Sequence, residues 1–87
     1  MRSEYRIMFP YGTVQPITTA EDFGKAIRAA RKRLGLTLAE CAGANGVGMR
    51  FLSELERGKE TAELGLALRV AASLGLSLRV GNDEGRR

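Results

Sequence analysis

Apolar residues recur along this chain first at a helical period and then at a strand period. They fall at Phe23, Ile27, Ala30 and Leu34, spacings of four, three and four that mark one helical face. Thr18 and Thr19 offer capping hydroxyls just before this run, and Glu21 and Asp22 put negative charge where the helix dipole favours it. With Gly35 as a left-handed stop, the pattern predicts a first helix over residues 20–34.

Only Leu36 separates that stop from the next start. Thr37-Leu38-Ala39-Glu40 is a capping box, in which the hydroxyl and the carboxylate each satisfy one backbone N–H. The second helix is short, ending at Ala44 or Asn45 before Gly46, with Cys41 and Ala42 turned inward. Gly43 inside it costs about 1 kcal/mol relative to alanine, so tertiary contacts must hold the element in place. Val47 reads as a single buried residue in the link. A third helix follows from Met49 to Arg57, with Leu52 and Leu55 inward, Gly58 closing it, and Gly48 at an N-cap where serine would usually cap better.

The fourth helix is expected over Ala62 to Leu74, with Thr61 as its cap, Glu63 in its first turn, and Leu64, Leu68, Ala71 and Leu74 on one stripe. After Gly75 the period drops to two: Leu76-Ser77-Leu78-Arg79-Val80 reads as a strand. A second alternation, Tyr5 to Phe9, reads as a strand or an extended arm, with Pro10 and Gly12 turning the chain after it. The organisation is an N-terminal arm at 1–17, a helical unit at 18–75, a strand at 76–80 and a polar tail at 81–87.

Composition narrows the possible functions. The 87 residues make one domain, and a hydrophobic fraction of 44% is that of a folded protein. A chain of this size buries about 60% of the surface its unfolded form exposes, which favours pairing. No apolar run reaches membrane-spanning length, and the N-terminus lacks a secretory pattern. Cys41 has no intrachain partner, so a cytoplasmic setting is expected and Cys41 reads as core rather than as a redox sensor. Histidine is absent, which excludes Cys/His zinc sites and Ser-His or Cys-His nucleophile pairs. Gly43, Gly46 and Gly48 resemble a fragment of a phosphate loop but lack the strand before it. No enzyme, metal or cofactor is expected.

Charge points elsewhere. The net charge is +4, yet residues 25–59 alone hold Lys25, Arg28, Arg31, Lys32, Arg33, Arg50, Arg57 and Lys59 against Glu40, Glu54 and Glu56, a surplus of five. Such a patch suits a polyanion, or is simply a solvated basic surface. The expected short helices either side of Asn45-Gly46-Val47-Gly48 separate the two readings. Two short helices joined through glycine form a helix-turn-helix, whose second helix enters the DNA major groove and reads base edges with its N-terminal residues.

The run Arg28-Ala-Ala-Arg-Lys-Arg-Leu-Gly-Leu-Thr37, continued by Leu38-Ala-Glu-Cys-Ala, resembles the opening of the Cro/CI/Xre repressor family. Gly46-Val-Gly-Met-Arg-Phe-Leu-Ser-Glu-Leu-Glu-Arg-Gly-Lys59 resembles its recognition helix and closing loop, so the similarity spans residues 20–75. The segment from Thr61 to Val80 is similar to the HipB-type antitoxin branch. The resemblance implies a mainly α, four-helix, lambda repressor-like DNA-binding domain with a short C-terminal β-strand pairing across a dimer. It implies a repressor that autoregulates a toxin–antitoxin operon, with double-stranded DNA and a HipA-like kinase toxin as partners. A stand-alone regulator and a protein-interaction adaptor are the alternatives.

Carried over by position, the resemblance places Gly48, Met49, Arg50, Phe51 and Ser53 toward bases. It places Thr37, Arg57 and Lys59 on phosphates, and pairs Arg31 with Glu56 as an internal salt bridge. Two positions depart from the family pattern: Leu38 stands where a glutamine commonly touches DNA, and Gly48 replaces a capping hydroxyl. Residue chemistry leaves plainer roles beside these. Arg50 reaches guanine O6 and N7 or is an ordinary surface arginine; Met49 and Phe51 pack on a thymine methyl or cover the junction between helices. Arg31 serves the ion pair or contacts DNA directly. The strand at Leu76, Leu78 and Val80 needs a partner, either its own copy in a second subunit or Tyr5–Phe9. The symmetric homodimer matches a palindromic operator with half-sites about one helical turn apart.

Overall fold

The computed structural model describes residues 14–82, and these fold as four helices: α1 (Ala20–Arg33), α2 (Leu38–Asn45), α3 (Met49–Glu56) and α4 (Leu64–Ser73). Local chemistry sets the start of the first two. Thr19 Oγ1 accepts from Asp22 N at 2.9 Å to cap α1, while the Asp22 carboxylate accepts from Thr18 N and Oγ1, both at 3.1 Å. At α2 the capping box is complete: Glu40 N donates to Thr37 Oγ1 at 3.0 Å, and Thr37 N donates to Glu40 Oε1 at 2.8 Å. A glycine at positive φ follows each helix.

One core joins the helices. Ile27 and Ala30 of α1, Cys41 and Ala42 of α2, Leu52 and Leu55 of α3, and Ala67, Val70, Ala71 and Leu74 at α4 are all buried. Burial pushes the Cys41 thiol above its ordinary pKa, and the neutral side chain packs as a small apolar group. The most extensive packing is between α1 and α3, and Gly24 makes it possible. A methyl group on Gly24 would sit 2.6 Å from the Glu56 carbonyl oxygen and closer still to that of Leu55. Only a residue without Cβ lets the two backbones approach this closely.

The fourth helix departs from the sequence pattern. It begins at Leu64, with Glu63 rather than Thr61 at the N-cap and no side-chain capping bond. Residues 60–62 are instead a turn, in which Ala62 N reaches Lys59 O at 3.4 Å. Ala62 packs against the core within this turn, ahead of the helix. The inward stripe is Ala67, Val70, Ala71 and Leu74, whereas Leu64 and Leu68 are exposed. Alanines at the contact let α4 lie close to the core, and the leucines fall on its flank.

Smaller differences follow similar causes. Leu34 sits past the end of α1 as its C-cap and is exposed, while Arg31, one turn earlier, is buried. Val47 is half-buried against the core rather than sealed within it. Among the described residues there is no strand: after α4, Leu76 packs against the core, Leu78 is half-exposed and Val80 is fully exposed. The Tyr5–Phe9 alternation lies outside the described residues.

Candidate nucleic-acid interface

Helices α2 and α3 are eight residues each, joined by Gly46-Val47-Gly48. Gly46, at φ 66°, takes the left-handed conformation that reverses the chain between them. Val47 N closes the turn onto Ala42 O at 3.0 Å, and Val47 itself packs on the core. A second brace holds α2 to α4. Asn45 Nδ2 donates to Ser73 Oγ at 3.0 Å, and Arg69 Nη2 donates to Asn45 O at 2.7 Å.

The orientation of α3 is fixed from within. Arg31 Nε donates to Glu56 Oε2 at 2.7 Å and Nη2 donates to Oε1 at 2.9 Å, a bidentate pair between α1 and α3. Arg31 Nη1 also donates to Leu36 O at 2.9 Å, tying in the link to α2. The hydrogen bonds to Glu56 raise the Arg31 pKa further, so the guanidinium stays charged. Leu52 and Leu55 complete the attachment from the core side.

The opposite face of α3 carries exposed polar chemistry. Met49 and Arg50 project from its N-terminal turn, with the Arg50 side chain 90% exposed. Gly48 precedes them as an uncapped N-cap with open space around it. Ser53 is half-buried and its Oγ accepts from Arg57 Nη1 at 2.7 Å. Phe51 is half-buried against the core, so of the five residues expected to face bases it is the one engaged in packing.

Cations flank this face. Lys59 Nζ donates to Glu54 Oε1 at 2.9 Å, and Arg50 Nε donates to Glu54 Oε2 at 3.2 Å. These two bonds, Lys59 first, hold the Glu54 carboxyl below its ordinary pKa. Thr37 Oγ1 uses a lone pair to cap α2, which leaves its hydroxyl proton available to an external acceptor. Among the described residues no group of His, Cys, Asp and Glu side chains is placed to hold a metal ion, and no helix is long and apolar enough to cross a membrane.

A helix-turn-helix family model matches residues 27–80, well over half of the chain. The chain belongs to the Cro/CI/Xre-type helix-turn-helix family. It is 44% identical over 64 residues to the HTH-type transcriptional regulator y4mF of Sinorhizobium fredii (strain NBRC 101917 / NGR234), covering 74% of this chain and 84% of that protein. Its fold is similar to that of HipB in a complex with a 20-mer called O2, with TM-score 0.74, 24% identity, and 83% of this chain and all of the other covered. It is similar also to a chain of a HipA–HipB–O2–O3 complex, with TM-score 0.73, 22% identity, and 82% and 100% covered. At these identities the structural likeness concerns the fold.

This helix-turn-helix chain is thus a DNA-binding transcriptional regulator of the Xre type, with α3 in the place of the second helix of the motif. Three features of its framework escaped sequence reasoning. Gly24 sits inside a helix, where glycine is unfavourable, and that cost was its visible signal. Glu54 lies one turn after Arg50, a spacing at which opposite charges pair. The Asn45–Arg69 bond spans 24 residues and has no local signature.

Proposed function

We propose that this regulator is a repressor that binds a palindromic operator as a homodimer, with its own promoter as the first target. The observation that carries the reading is the exposed N-terminal turn of α3. Met49 and Arg50 stand clear of the fold there, on a helix locked from behind by the buried Arg31–Glu56 pair. Arg50, Met49 and Ser53 meet base edges, with Gly48 and Phe51 alongside. Thr37, Arg57 and Lys59 hold phosphates and set the register of α3 in the groove.

What the fold leaves uncovered supports dimerisation. Leu64, Leu68, Leu78 and Val80 are exposed together with Ile17. A groove of about 370 Å³ runs between residues 17–20 and α4, lined by Ile17, Phe23, Leu55, Ala62, Leu64 and Leu68. Single exposed apolar residues are ordinary; a cluster of this kind marks an interaction surface. Leu76, Leu78 and Val80 pair as a strand with the same residues of the second subunit, which places two α3 helices on one face for a two-fold site.

The HipA–HipB–O2–O3 likeness supports extending the reading to an antitoxin partnered by a HipA-like kinase toxin. The 44% identity to a protein described as a transcriptional regulator favours a second reading, a stand-alone regulator. Co-purification with the product of a neighbouring kinase-like gene decides between the two.

The test of the DNA reading is titration of the chain with its own promoter duplex and a scrambled duplex across salt. With roughly 5–8 phosphates neutralised per dimer, log affinity falls against log salt with a slope of about −4 to −7. The promoter duplex should win by about 10³-fold or more at physiological salt. Equal weak binding to both would leave general basicity alone and favour a protein-interaction adaptor.

A further inference from the structure

Glu54 accepts from two cations of the exposed face at once, Arg50 Nε at 3.2 Å and Lys59 Nζ at 2.9 Å. An arginine whose side chain is 90% exposed would otherwise sample many rotamers, and ordering it on DNA would cost affinity for the base it reads. The atom that Glu54 holds matters. A guanidinium has one donor on Nε and two on each terminal nitrogen, and among the described residues Arg50 Nη1 and Nη2 have no protein partner. With Nε anchored on the helix, the terminal edge remains as a planar fork, which matches the O6 and N7 acceptors of guanine.

We propose that Glu54 is a positioning residue for base recognition: it anchors Arg50 through Nε, presents the Nη1/Nη2 edge to a guanine, and weakens without abolishing the hold of Lys59 on phosphate. This rests on the reading of α3 as the element in the major groove. The carboxylate then has two effects of opposite sign. A negative charge at the interface weakens binding to every duplex, because phosphates repel it and Lys59 is partly neutralised. Fixing Arg50 strengthens binding only where a guanine stands opposite the fork. Specificity gains and bulk affinity falls, a combination that a plain surface salt bridge does not produce.

The experiment selects from a random-sequence duplex library with the full chain, using wild type, Glu54→Gln, Arg50→Ala and the double variant, at a temperature where circular dichroism shows each folded. Wild type should enrich a site containing a guanine that Arg50→Ala alone no longer requires. Glu54→Gln should bind scrambled duplex a few-fold more tightly, while its discrimination at that guanine falls by roughly 2- to 10-fold. In the Arg50→Ala background, Glu54→Gln should leave discrimination unchanged. If Glu54→Gln tightens preferred and scrambled duplexes equally, Glu54 is only a surface charge; that overturns the inference and leaves the DNA reading standing. If wild type enriches no sequence, the operator reading itself fails and takes this inference with it.

Discussion

Arg31 and Glu56, 25 residues apart in sequence, close a bidentate pair at 2.7 and 2.9 Å in the seam between α1 and α3. Their residues are 8% and 9% exposed, and the remaining terminal nitrogen of Arg31 holds the Leu36 carbonyl. One guanidinium therefore connects α1, the link into α2, and the end of α3. Glu56 is what makes its charge tolerable in that place.

Removing one partner of a buried pair strands the other charge, at a cost of about 3–5 kcal/mol. A domain of this length has total stability on the order of 4–13 kcal/mol, so Arg31→Met or Glu56→Leu alone should remove a large part of it. The double replacement Arg31→Met with Glu56→Leu should cost much less than either single change. Urea unfolding of the four members of this cycle measures the coupling. Additive losses would mean that the two side chains act independently.

Gly24→Ala and Gly43→Ala make opposite predictions from the same chemical change. Each gains about 1 kcal/mol of helix propensity. At Gly24 the new methyl meets the Leu55 and Glu56 carbonyl oxygens and forces α1 from α3, whereas at Gly43 nothing lies within 4 Å. Overpacking costs about 1–3 kcal/mol, so Gly24→Ala should be net destabilising while Gly43→Ala raises the melting temperature. Equal effects at both sites would mean that the α1–α3 approach is looser than the geometry indicates.

These contrasts show what the sequence could disclose. The caps at Thr19 and at Thr37 with Glu40 were legible because a cap is a contract between residues three apart, and the turn at Gly46 because one residue carries it. The start of α4 was not, because Thr61 is an acceptable cap by chemistry but lies in a turn in which Ala62 packs against the core. Its inward face was misread because periodicity ranks leucine above alanine, while close helix packing selects Ala67 and Ala71. At the candidate interface the exposure of Arg50 followed from the helical register, whereas the sequence left Met49 open between base contact and the junction between helices. The hold of Glu54 on both Arg50 and Lys59 is a side-chain arrangement that spacing alone leaves open, and so is the partial burial of Phe51.

Acid should weaken the fold through Asp22 and Glu54. Bonds from Thr18 N–H and hydroxyl, then from Thr19, lower the Asp22 pKa, and bonds from Lys59 and Arg50 lower that of Glu54. A carboxyl whose folded pKa is depressed adds stability that is full above its unfolded value, roughly 4, and is lost as pH falls through the folded one. The melting temperature should therefore hold from pH 7 to about 5 and decline below about 4. Asp22→Asn should be less stable than wild type at pH 7 and converge with it in strong acid. Parallel curves at every pH would assign the acid sensitivity to other groups.

Gly48→Ser should stabilise the chain at the point where α3 begins. Gly48 has φ −75° and ψ 152°, a conformation open to any residue, and a Cβ there meets nothing within 4 Å. No side chain now caps α3, so a serine hydroxyl can accept from a free N–H of the first turn. The cap is worth a few tenths of a kcal/mol, and loss of glycine freedom in the unfolded chain adds about 0.4–1 kcal/mol. Together these should raise the melting temperature by about 2–8 °C. Gly46→Ser, two residues earlier at φ 66°, is the control and should lower it, because only glycine takes that conformation without strain. The Arg50–Glu54 bond lies on the next turns and is untouched, so preference among duplexes should hold in the stabilised variant. A stabilised variant that loses this preference would show that Gly48 is there for close approach to DNA, and that an uncapped α3 is the cost of that approach.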